Sequence, residues 1–387
     1  MGHVFRTEEQ KMAVEGFRRF LDQEIEPIVR EYRDRYIPRD RMLEILQQLV
    51  QYGIVTGVVS EEHGGMGGTD TDWQMATMLF EELCYTSMDL SIVALINTFG
   101  ANMIELLAPG PLRDRYLPGL LTGESIMCIG ISEPDVGSNV LEIKTRGRRN
   151  GDEFVINGEK TWISNGDYSD FMVCTVRTGD DPRTGLTHFL LDRAEHPYES
   201  RNIHKIALNS NSTAQIFLSD VRVPASNMVG REGEALKNTL RLFERSRVFV
   251  ACQGLGLARR ALDEAIRYAQ ERKQHGKVIA GHQLISAMLA DMATQVDAAR
   301  LLTMRAAAMI DAGVPAEMEA AMAKYFACEA AVKVCRQAVQ IHGGNGITTE
   351  FLVEKLAREA IVSTIPEGTS QIQQLIIGRA LTGVAAF

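Results

Sequence analysis

Apolar residues recur at helical spacing in the first and last thirds of the chain and alternate with polar residues in the middle. A period of about 3.6 residues is typical of an amphipathic helix, and a period of two is typical of a half-buried strand. In the first third the pattern predicts helices over residues 8–30, 39–52, 71–85 and 89–104. A glycine-rich break at 64–68 separates two of them, and Pro109-Gly110-Pro111 ends the last.

In the middle third, short runs of β-branched and aromatic residues predict strands at 153–156, 171–176, 188–192 and 214–218. Asn157-Gly158 follows the first run, and this dipeptide favours a tight hairpin turn. We therefore expect a small antiparallel sheet with a hairpin at this position.

The last third is rich in alanine and methionine at helical spacing, over residues 257–269, 285–310 and 315–341. Long helices of this kind pack as a bundle. Gly276 is predicted to end the first of them as a C-cap. The whole pattern predicts an α+β fold, mostly α, with a helical domain at 1–124, a β-sheet domain at 125–232 and a helical bundle at 233–387.

Composition excludes several classes of protein. The 387 residues carry a net charge of −9, which disfavours nucleic acid and anionic membranes as partners. No run approaches about 18 apolar residues, so no membrane span is expected. The first six residues lack the apolar core of a secretory signal. The six cysteines and eight histidines show no metal-ligand spacing, so we expect a cytoplasmic protein with buried thiols and no metal.

Glu367 stands in a rigid turn before Gly368-Thr369 and directly ahead of a predicted helix at 371–381. A carboxylate on a turn beside apolar Ile361 and Ile365 is partly desolvated, which raises its pKa toward the range of a general base. The same residues also describe an ordinary helix entry, with Thr369 as the N-cap. From these residues alone both interpretations stay open.

Two segments of the middle third have the composition of a ligand site. Residues 132–139 offer hydroxyls and backbone amides on a turn, which suits phosphate or flavin edge atoms. Residues 160–166 place Trp162 on a strand beside a hydroxyl, where an indole would form a wall for a planar ring. Ordinary turn serines and a core tryptophan are the alternatives.

Six motifs, in this order and spacing, resemble the acyl-CoA dehydrogenase family from end to end of the chain. They are Ser132-Glu133-Pro134-x-x-Gly137-Ser138, Asn157-Gly158-x-Lys160-x-Trp162-Ile163-Ser164-Asn165, Asp220-Val221-Arg222-Val223-Pro224, Glu271-Arg272-Lys273-Gln274-x-Gly276, Gln340-x-x-Gly343-Gly344-Asn345-Gly346 and Glu367-Gly368-Thr369. The segment Ala261-Leu262-Asp263-Glu264-Ala265 is most similar to the medium-chain type. The resemblance implies an N-terminal helical domain, a middle β-sheet domain and a C-terminal four-helix bundle, assembled as a homotetramer.

The resemblance also implies FAD-dependent α,β-dehydrogenation of an acyl-CoA thioester to the trans-2-enoyl-CoA, with electrons passed to an electron-transferring flavoprotein. Glu367 matches the base that takes the α-proton, while the β-hydrogen leaves as hydride to flavin N5. The Glu367 backbone N–H and a ribityl hydroxyl of the flavin would polarise the thioester oxygen. Some relatives carry the base just before Arg247, but Ser246 stands there and has no carboxylate.

By the same likeness, several parts of the chain would bind FAD. Its flavin and ribityl region would contact Ser132, Gly137, Ser138, Trp162 and Ser164. Its ADP half, held in a neighbouring subunit, would contact Arg272, Gln274, His275, Gln340, Gly343 and Gly344, and Thr369 and Gln371 would also touch FAD. The substrate would contact Ser138, Gly368, Ser91 and Leu95, together with Glu244 and Arg247 near the CoA pantetheine. An exposed helical charge pair is the alternative for the last two.

Some residues depart from the family pattern. Pro366 stands where many relatives have tyrosine, and His275 replaces a usual phenylalanine. Ala207 and Asn209 occupy positions often held by glycine and arginine. These departures favour a substrate other than a straight-chain fatty acyl group. Asp89 is interpreted either as a second pocket carboxylate, as in a 1,4-elimination on a cyclic acyl-CoA, or as a helix N-cap.

Other functions remain as alternatives. One is a dehydrogenase of an acyl or aminoacyl thioester on a carrier protein, which Asn209 favours, or of a cyclic, aromatic or dicarboxylyl-CoA. An oxidase would pass the electrons to oxygen instead. A flavin-bearing structural or nucleic-acid-associated relative is disfavoured by the acidic net charge and by Glu367.

Overall fold

Helices form the first part of the chain. The computed structural model describes residues 7–67 and 72–385, so Thr71, the predicted start of one helix, and Gly68 of the glycine-rich break lie outside the described residues. The helices are α1 (Glu8–Phe20), α2 (Glu26–Glu31), α3 (Arg39–Leu49), α4 (Trp73–Thr86), α5 (Met88–Leu107) and α6 (Gly110–Thr122). A short π-helical segment, Leu21–Ile25, joins α1 to α2.

The helix ends follow local side-chain chemistry. Thr7 and Gln10 form a capping box that begins α1. Ser87 caps α5 by accepting a hydrogen bond from Leu90 N, so the alternative that Asp89 is the N-cap is wrong. Among the described residues, α5 is the one helix long and apolar enough to cross a membrane, but 72% of its most apolar window is buried inside the protein. It is a core helix of this fold.

A mostly antiparallel sheet follows the helices. Its strands are β1 (Met127–Gly130), β2 (Arg146–Asn150), β3 (Glu153–Ser164), β4 (Phe171–Arg177), β5 (Leu186–Asp192), β6 (Glu199–Asn202), β7 (Thr213–Pro224) and β8 (Met228–Val229). The order across the sheet is β6-β7-β3-β2-β4-β5-β8, and β1 lies off this path and pairs with β4 in parallel. The inward-facing residues of these strands form a separate hydrophobic cluster.

The predicted hairpin at Asn157-Gly158 is wrong, because β3 runs through both residues. The hairpin lies earlier, between β2 and β3, where Gly151 has a φ of +63°. At Gly158, φ is +151° and the pairing of β3 with β7 shifts register. A Cβ there would lie 2.5 Å from Thr145 Oγ1, so this glycine permits a bulge and a close approach instead of a turn.

Long helices form the last part of the chain. The elements are α7 (Ala235–Glu271), the short hairpin strands β9 (Lys273–Gln274) and β10 (Lys277–Val278), α8 (Gln283–Asp311), α9 (Glu317–His342), α10 (Val353–Ser363) and α11 (Ser370–Thr382). Gly276 is therefore not the C-cap of α7. Together with His275, which has a φ of +51°, it forms the turn between β9 and β10. The order confirms the predicted α+β architecture, mostly helical, with a sheet in the middle and a helical bundle at the end.

Buried ion pairs join the first helices to the bundle. Arg259 of α7 donates to Glu82 of α4 at 2.6 Å and also contacts Glu81. Arg300 of α8 contacts Glu81 at 2.8 Å, and Arg18 of α1 contacts Glu82 at 2.7 Å. Three arginines thus share two buried carboxylates, and the network joins α1, α7 and α8 to α4.

A second buried charge cluster joins α5, α10 and the loop before β7. Lys355 Nζ lies 2.9 Å from Asp89 Oδ2 and also contacts Glu359. The backbone N–H of Ser210 donates to the other oxygen of Asp89 at 3.0 Å. Asp89 is thus held by Lys355 and by the loop. Burial, with Asp89 close by, raises the pKa of Glu359 to about 7.

The Glu359→Gln variant tests this cluster. The folded pKa of Glu359 lies above the unfolded value of about 4.3, so the folded state holds its proton more tightly. The stability that this gives is fully present below about pH 4.3 and is lost as the pH rises through about 7, by up to about 1.4 kcal/mol per unit. We expect the free energy of unfolding of the wild type, relative to Glu359→Gln, to fall between pH 5 and pH 8 in urea titrations. Glu8→Gln, which changes an exposed carboxylate, serves as the control. A Glu359→Gln difference that is constant with pH would contradict the raised pKa.

Candidate active site

Glu367 lies in the turn between α10 and α11, against the first third of α7. Its Oε2 accepts a hydrogen bond from Ser246 Oγ at 2.9 Å. Its backbone is left-handed, with a φ of +55°, and Gly368 follows with a φ of +88°. Thr369 accepts a hydrogen bond from Ile372 N and caps α11, as predicted. The turn therefore does both things that its sequence indicated: it presents a carboxylate, and it begins a helix.

The pKa of Glu367 is raised, because burial disfavours its charged form. The hydrogen bond from Ser246 and the charges of Arg247 and Lys324 act in the opposite direction. Of the apolar residues beside the turn, Ile365 is 58% exposed and Ile361 is 50% exposed. Ser246 of α7 contacts the carboxylate, and Lys324 of α9 contacts the turn.

Two atoms of Glu367 are left without partners inside the described part of the chain. No described residue donates a hydrogen bond to Oε1, and none accepts one from the backbone N–H of Glu367. Oε1 can accept a proton, and the N–H can donate to an oxygen that gains negative charge. One residue therefore offers a base and an oxyanion donor, the two groups needed to remove a proton beside a carbonyl.

Glu244 and Arg247, predicted together near the substrate, have different surroundings. Arg247 is buried, faces Glu367, and its Nε has no hydrogen-bond partner. Glu244 Oε1 instead accepts from the backbone N–H of Ala316 at 2.9 Å, at the start of α9. The two side chains form no ion pair with each other among the described residues. Their roles in binding substrate stay predictions.

The two α5 residues predicted to touch the substrate are buried. Ser91 Oγ donates to Met88 O at 2.8 Å and accepts from Gln253 Nε2 of α7 at 3.3 Å. Leu95 lies one turn further along α5. Gln253 is seven residues after Ser246, which is about 10.5 Å along a helix axis. The Ser91–Gln253 contact thus lies about two turns of α7 away from the hydrogen bond that holds Glu367.

Trp162 stands on β3 as an exposed aromatic surface. Its φ is +61° and its side chain is 62% exposed, at a point where the pairing of β3 and β7 shifts register. Next to it, Thr161 N donates to Ser132 O at 2.9 Å, so the turn that contains Ser132 lies against this part of the strand. Gly137 and Ser138 are exposed on the same turn, and Ser164 is half-buried at the end of β3. An exposed indole beside free hydroxyls and amides fits the ring and edge atoms of a flavin.

A buried ion pair holds this turn against the sheet. Lys160, fully buried on β3, donates to Glu133 Oε1 at 2.8 Å and to Ile131 O at 3.1 Å. Glu133 also accepts from the backbone N–H groups of Lys144 and Thr145. These contacts lower the pKa of Glu133 despite its burial.

The third group of predicted residues lies at one end of the bundle. Arg272, Gln274 and His275 are exposed at the β9–β10 hairpin, and Gln340, Gly343 and Gly344 are exposed at the end of α9. The two ends meet through Tyr268, whose ring stacks on His342 with centroids 4.2 Å apart and whose hydroxyl accepts from Asn345 at 3.0 Å. Gln371 is exposed in the first turn of α11. The exposed cation and glycines of this end fit a phosphate-bearing ligand, and the role of each residue stays a prediction.

Sequence reasoning missed two residues that support Glu367. Lys324 of α9 and Gln373 of α11 donate to backbone carbonyls of the turn. A signal for Lys324 was available: it stands four residues after Ala320 and three before Ala327, on the buried face of a helix. A lysine on such a face requires a partner inside the protein.

Three family models match successive parts of the chain. The family model described as "Acyl-CoA dehydrogenase, N-terminal domain" matches residues 7–124. The models for the middle domain and the C-terminal domain match residues 128–221 and 236–382.

Individual relatives agree with this match. The probable acyl-CoA dehydrogenase YngJ of Bacillus subtilis is 35% identical, over 97% of this chain and 98% of its own length. The caffeyl-CoA reductase-Etf complex subunit CarC of Acetobacterium woodii is 36% identical, over 87% of this chain and 89% of its own. The solved structure of butyryl-CoA dehydrogenase from Megasphaera elsdenii superposes with a TM-score of 0.92 at 30% identity, covering 98% of this chain and 100% of that one.

Substitution of Lys160 tests the ion pair under the turn. Lys160→Met leaves Glu133 buried without its cation, and we expect a loss of about 3–5 kcal/mol in the free energy of unfolding. Lys333→Met, which removes an exposed partner of Asp291, is the matched control and should cost about 1 kcal/mol or less. Chemical denaturation measures both. Equal effects of the two substitutions would show that the buried pair does not hold the turn.

Proposed function

This chain belongs to the acyl-CoA dehydrogenase family, and we propose that it oxidises the α,β-bond of an acyl-CoA thioester to the trans-2-enoyl-CoA with FAD as its cofactor. It is an oxidoreductase of a flavoprotein family. The observation that carries the proposal is the geometry of Glu367, a desolvated carboxylate with one oxygen held by Ser246 and the other left free.

Glu367 supplies the base. Ser246 fixes Oε2, so the carboxylate keeps one orientation while Oε1 takes the α-proton of the thioester. The raised pKa brings the carboxylate closer to the working pH, and this makes it a better proton acceptor than an exposed glutamate. Arg247 and Lys324 act against the rise, so the group remains able to ionise.

The free backbone N–H of Glu367 would donate to the thioester carbonyl oxygen. Charge builds up on that oxygen as the α-proton leaves, and a fixed donor in a water-poor site stabilises it strongly. Bound FAD would supply the acceptor for the hydride equivalent that leaves the β-carbon. Trp162, with Ser132 and Ser164 beside it, would hold the flavin ring, and the exposed residues at the bundle end would hold its ADP half.

We extend the proposal to the electron acceptor, the oligomeric state and the cellular compartment of the protein. The likeness to an Etf-complex subunit supports an electron-transferring flavoprotein as the acceptor. Exposed apolar side chains on the bundle, including Leu284, Leu301 and Ile347, support assembly into a homotetramer. All six cysteines are free and buried, which supports a reducing compartment such as the cytoplasm.

Anaerobic titration of the FAD-loaded protein with a panel of thioesters tests the reaction. Straight-chain, branched, cyclic and dicarboxylyl-CoA substrates are added while the visible flavin absorption is followed. We expect bleaching by at least one class. In Glu367→Gln, FAD should remain bound and the rate of bleaching should fall by about 10²-fold or more, because the amide cannot accept the α-proton.

Glu350→Gln is the matched control, since Glu350 is an exposed carboxylate on the same stretch of chain. Bleaching of Glu367→Gln at the wild-type rate would refute the assignment of the base. Bleaching by a carrier-protein thioester and by no CoA ester would move the substrate to that class. Rapid reoxidation by oxygen with release of peroxide would identify an oxidase instead of a dehydrogenase.

A further inference from the structure

We propose that Lys324 is a positioning residue for this reaction: its buried ammonium group fixes the turn that carries Glu367 and balances the charge of the base. The proposal rests on the function proposed above. Lys324 lies on α9, 43 positions before Glu367 in the chain. The contacts of its side chain are the ground for the proposal.

Lys324 contacts the chain on both sides of Glu367. Its Nζ donates to Thr364 O at 3.2 Å and to Gly368 O at 2.7 Å. Thr364 stands three residues before Glu367, and Gly368 directly follows it. One ammonium group therefore binds the start and the end of the turn, and this sets the distance between them.

The turn needs such support because its backbone is strained. A glutamate in the left-handed region costs on the order of 1–3 kcal/mol and persists only where its surroundings impose it. A second clamp comes from α11, where Gln373 Nε2 donates to Glu367 O at 3.1 Å and to Gly368 O at 2.9 Å. A Cβ at Gly368 would lie 2.8 Å from that same nitrogen, so the clamp also requires the glycine.

Within the described part of the chain, Lys324 is buried without the carboxylate partner that a buried lysine usually has. Two other lysines of the chain that are similarly buried have carboxylate partners: Lys160 pairs with Glu133, and Lys355 pairs with Asp89 and Glu359. Lys324, at 0% exposure, forms no ion pair with any described carboxylate and binds carbonyl oxygens instead. Burying an ammonium group in this way is costly, and burial lowers the pKa of Lys324. We attribute this costly burial to the position of Lys324 against the turn that carries the base.

The charges that face Glu367 come from two helices. Arg247 approaches from α7 and Lys324 from α9, while Ser246 of α7 and Gln373 of α11 contribute neutral groups. Both cations favour the carboxylate form of Glu367. Removing Lys324 should therefore have two separable effects: the turn loosens, and the pKa of Glu367 rises further.

Matched substitutions separate these effects. Lys324→Met removes both the clamp and the charge, and Lys324→Gln removes the charge but keeps an amide donor. Gln373→Met removes the clamp on Glu367 O and on Gly368 O, the carbonyl that Lys324 also binds, without changing any charge. Flavin content and thermal unfolding establish that each variant is folded. The protonation of Glu367 is followed as its infrared carboxyl band against pH, by subtracting the spectrum of the Glu367→Gln protein, and flavin reduction gives the rate.

We expect the infrared midpoint of Glu367 to rise in both Lys324 variants, because a cation that favours the carboxylate form is lost. In Gln373→Met the midpoint should not change. Because a misplacement of about 1 Å can cost about 10²-fold in rate, Lys324→Met and Gln373→Met should both reduce flavin slowly, with kcat affected more than KM. Lys324→Gln should recover part of the Lys324→Met loss when the rates are compared above the raised midpoint.

An unchanged midpoint in folded Lys324→Met or Lys324→Gln would overturn the role of the charge, and an unchanged rate would overturn the role in positioning. If no thioester bleaches the wild-type flavin, the proposed function fails in the wild-type protein itself. The infrared midpoints still decide whether Lys324 controls Glu367 in that case, since they do not depend on turnover.

Discussion

A buried carboxylate can act as a base only if burial raises its pKa while nearby groups still allow it to ionise. The contacts around Glu367 meet this constraint. Glu367 is desolvated enough for its pKa to rise, yet Arg247, Lys324 and Ser246 keep the ionised form accessible. These partners come from α7 and α9, so the site exists only when the bundle is assembled around α10 and α11. The turn itself is short and strained and cannot place the carboxylate alone.

Other buried ion pairs join separate parts of the chain to one another. Arg259 with Glu81 and Glu82 fastens α4 to the bundle. Lys355, with Asp89 and Glu359, fastens α10 to α5 and to the loop before β7, and α10 leads directly into the catalytic turn. The pair of Lys160 and Glu133 holds the Ser132 turn beside Trp162. Ion pairs buried in this way contribute little net stability, but they penalise any arrangement in which one partner is missing.

Much of this could be predicted from the sequence, because helical periodicity and the order of the motifs carry information that does not depend on distant contacts. The three-part architecture, the family and the Thr369 cap are confirmed. The errors arise where the tertiary partner decides. Asn157-Gly158 has the composition of a hairpin, but pairing with β7 continues the strand through it. Gly276 has the composition of a C-cap, but β10 folds back and makes it a hairpin turn. Lys324 belongs to the same class, because its carbonyl partners lie about 40 residues away in the chain.

The central claim is that Glu367 removes the α-proton, and hydrogen exchange tests it without requiring oxidation. An acyl-CoA with a fully substituted β-carbon, such as 3,3-dimethylbutyryl-CoA, has α-hydrogens but no β-hydrogen to lose as hydride. Incubated with the FAD-loaded protein in deuterated water and analysed by mass spectrometry, it should acquire deuterium at the α-carbon with the wild type and at least about 10²-fold more slowly with Glu367→Gln. Equal exchange by both proteins would show that another group takes the proton and would contradict this account of the site.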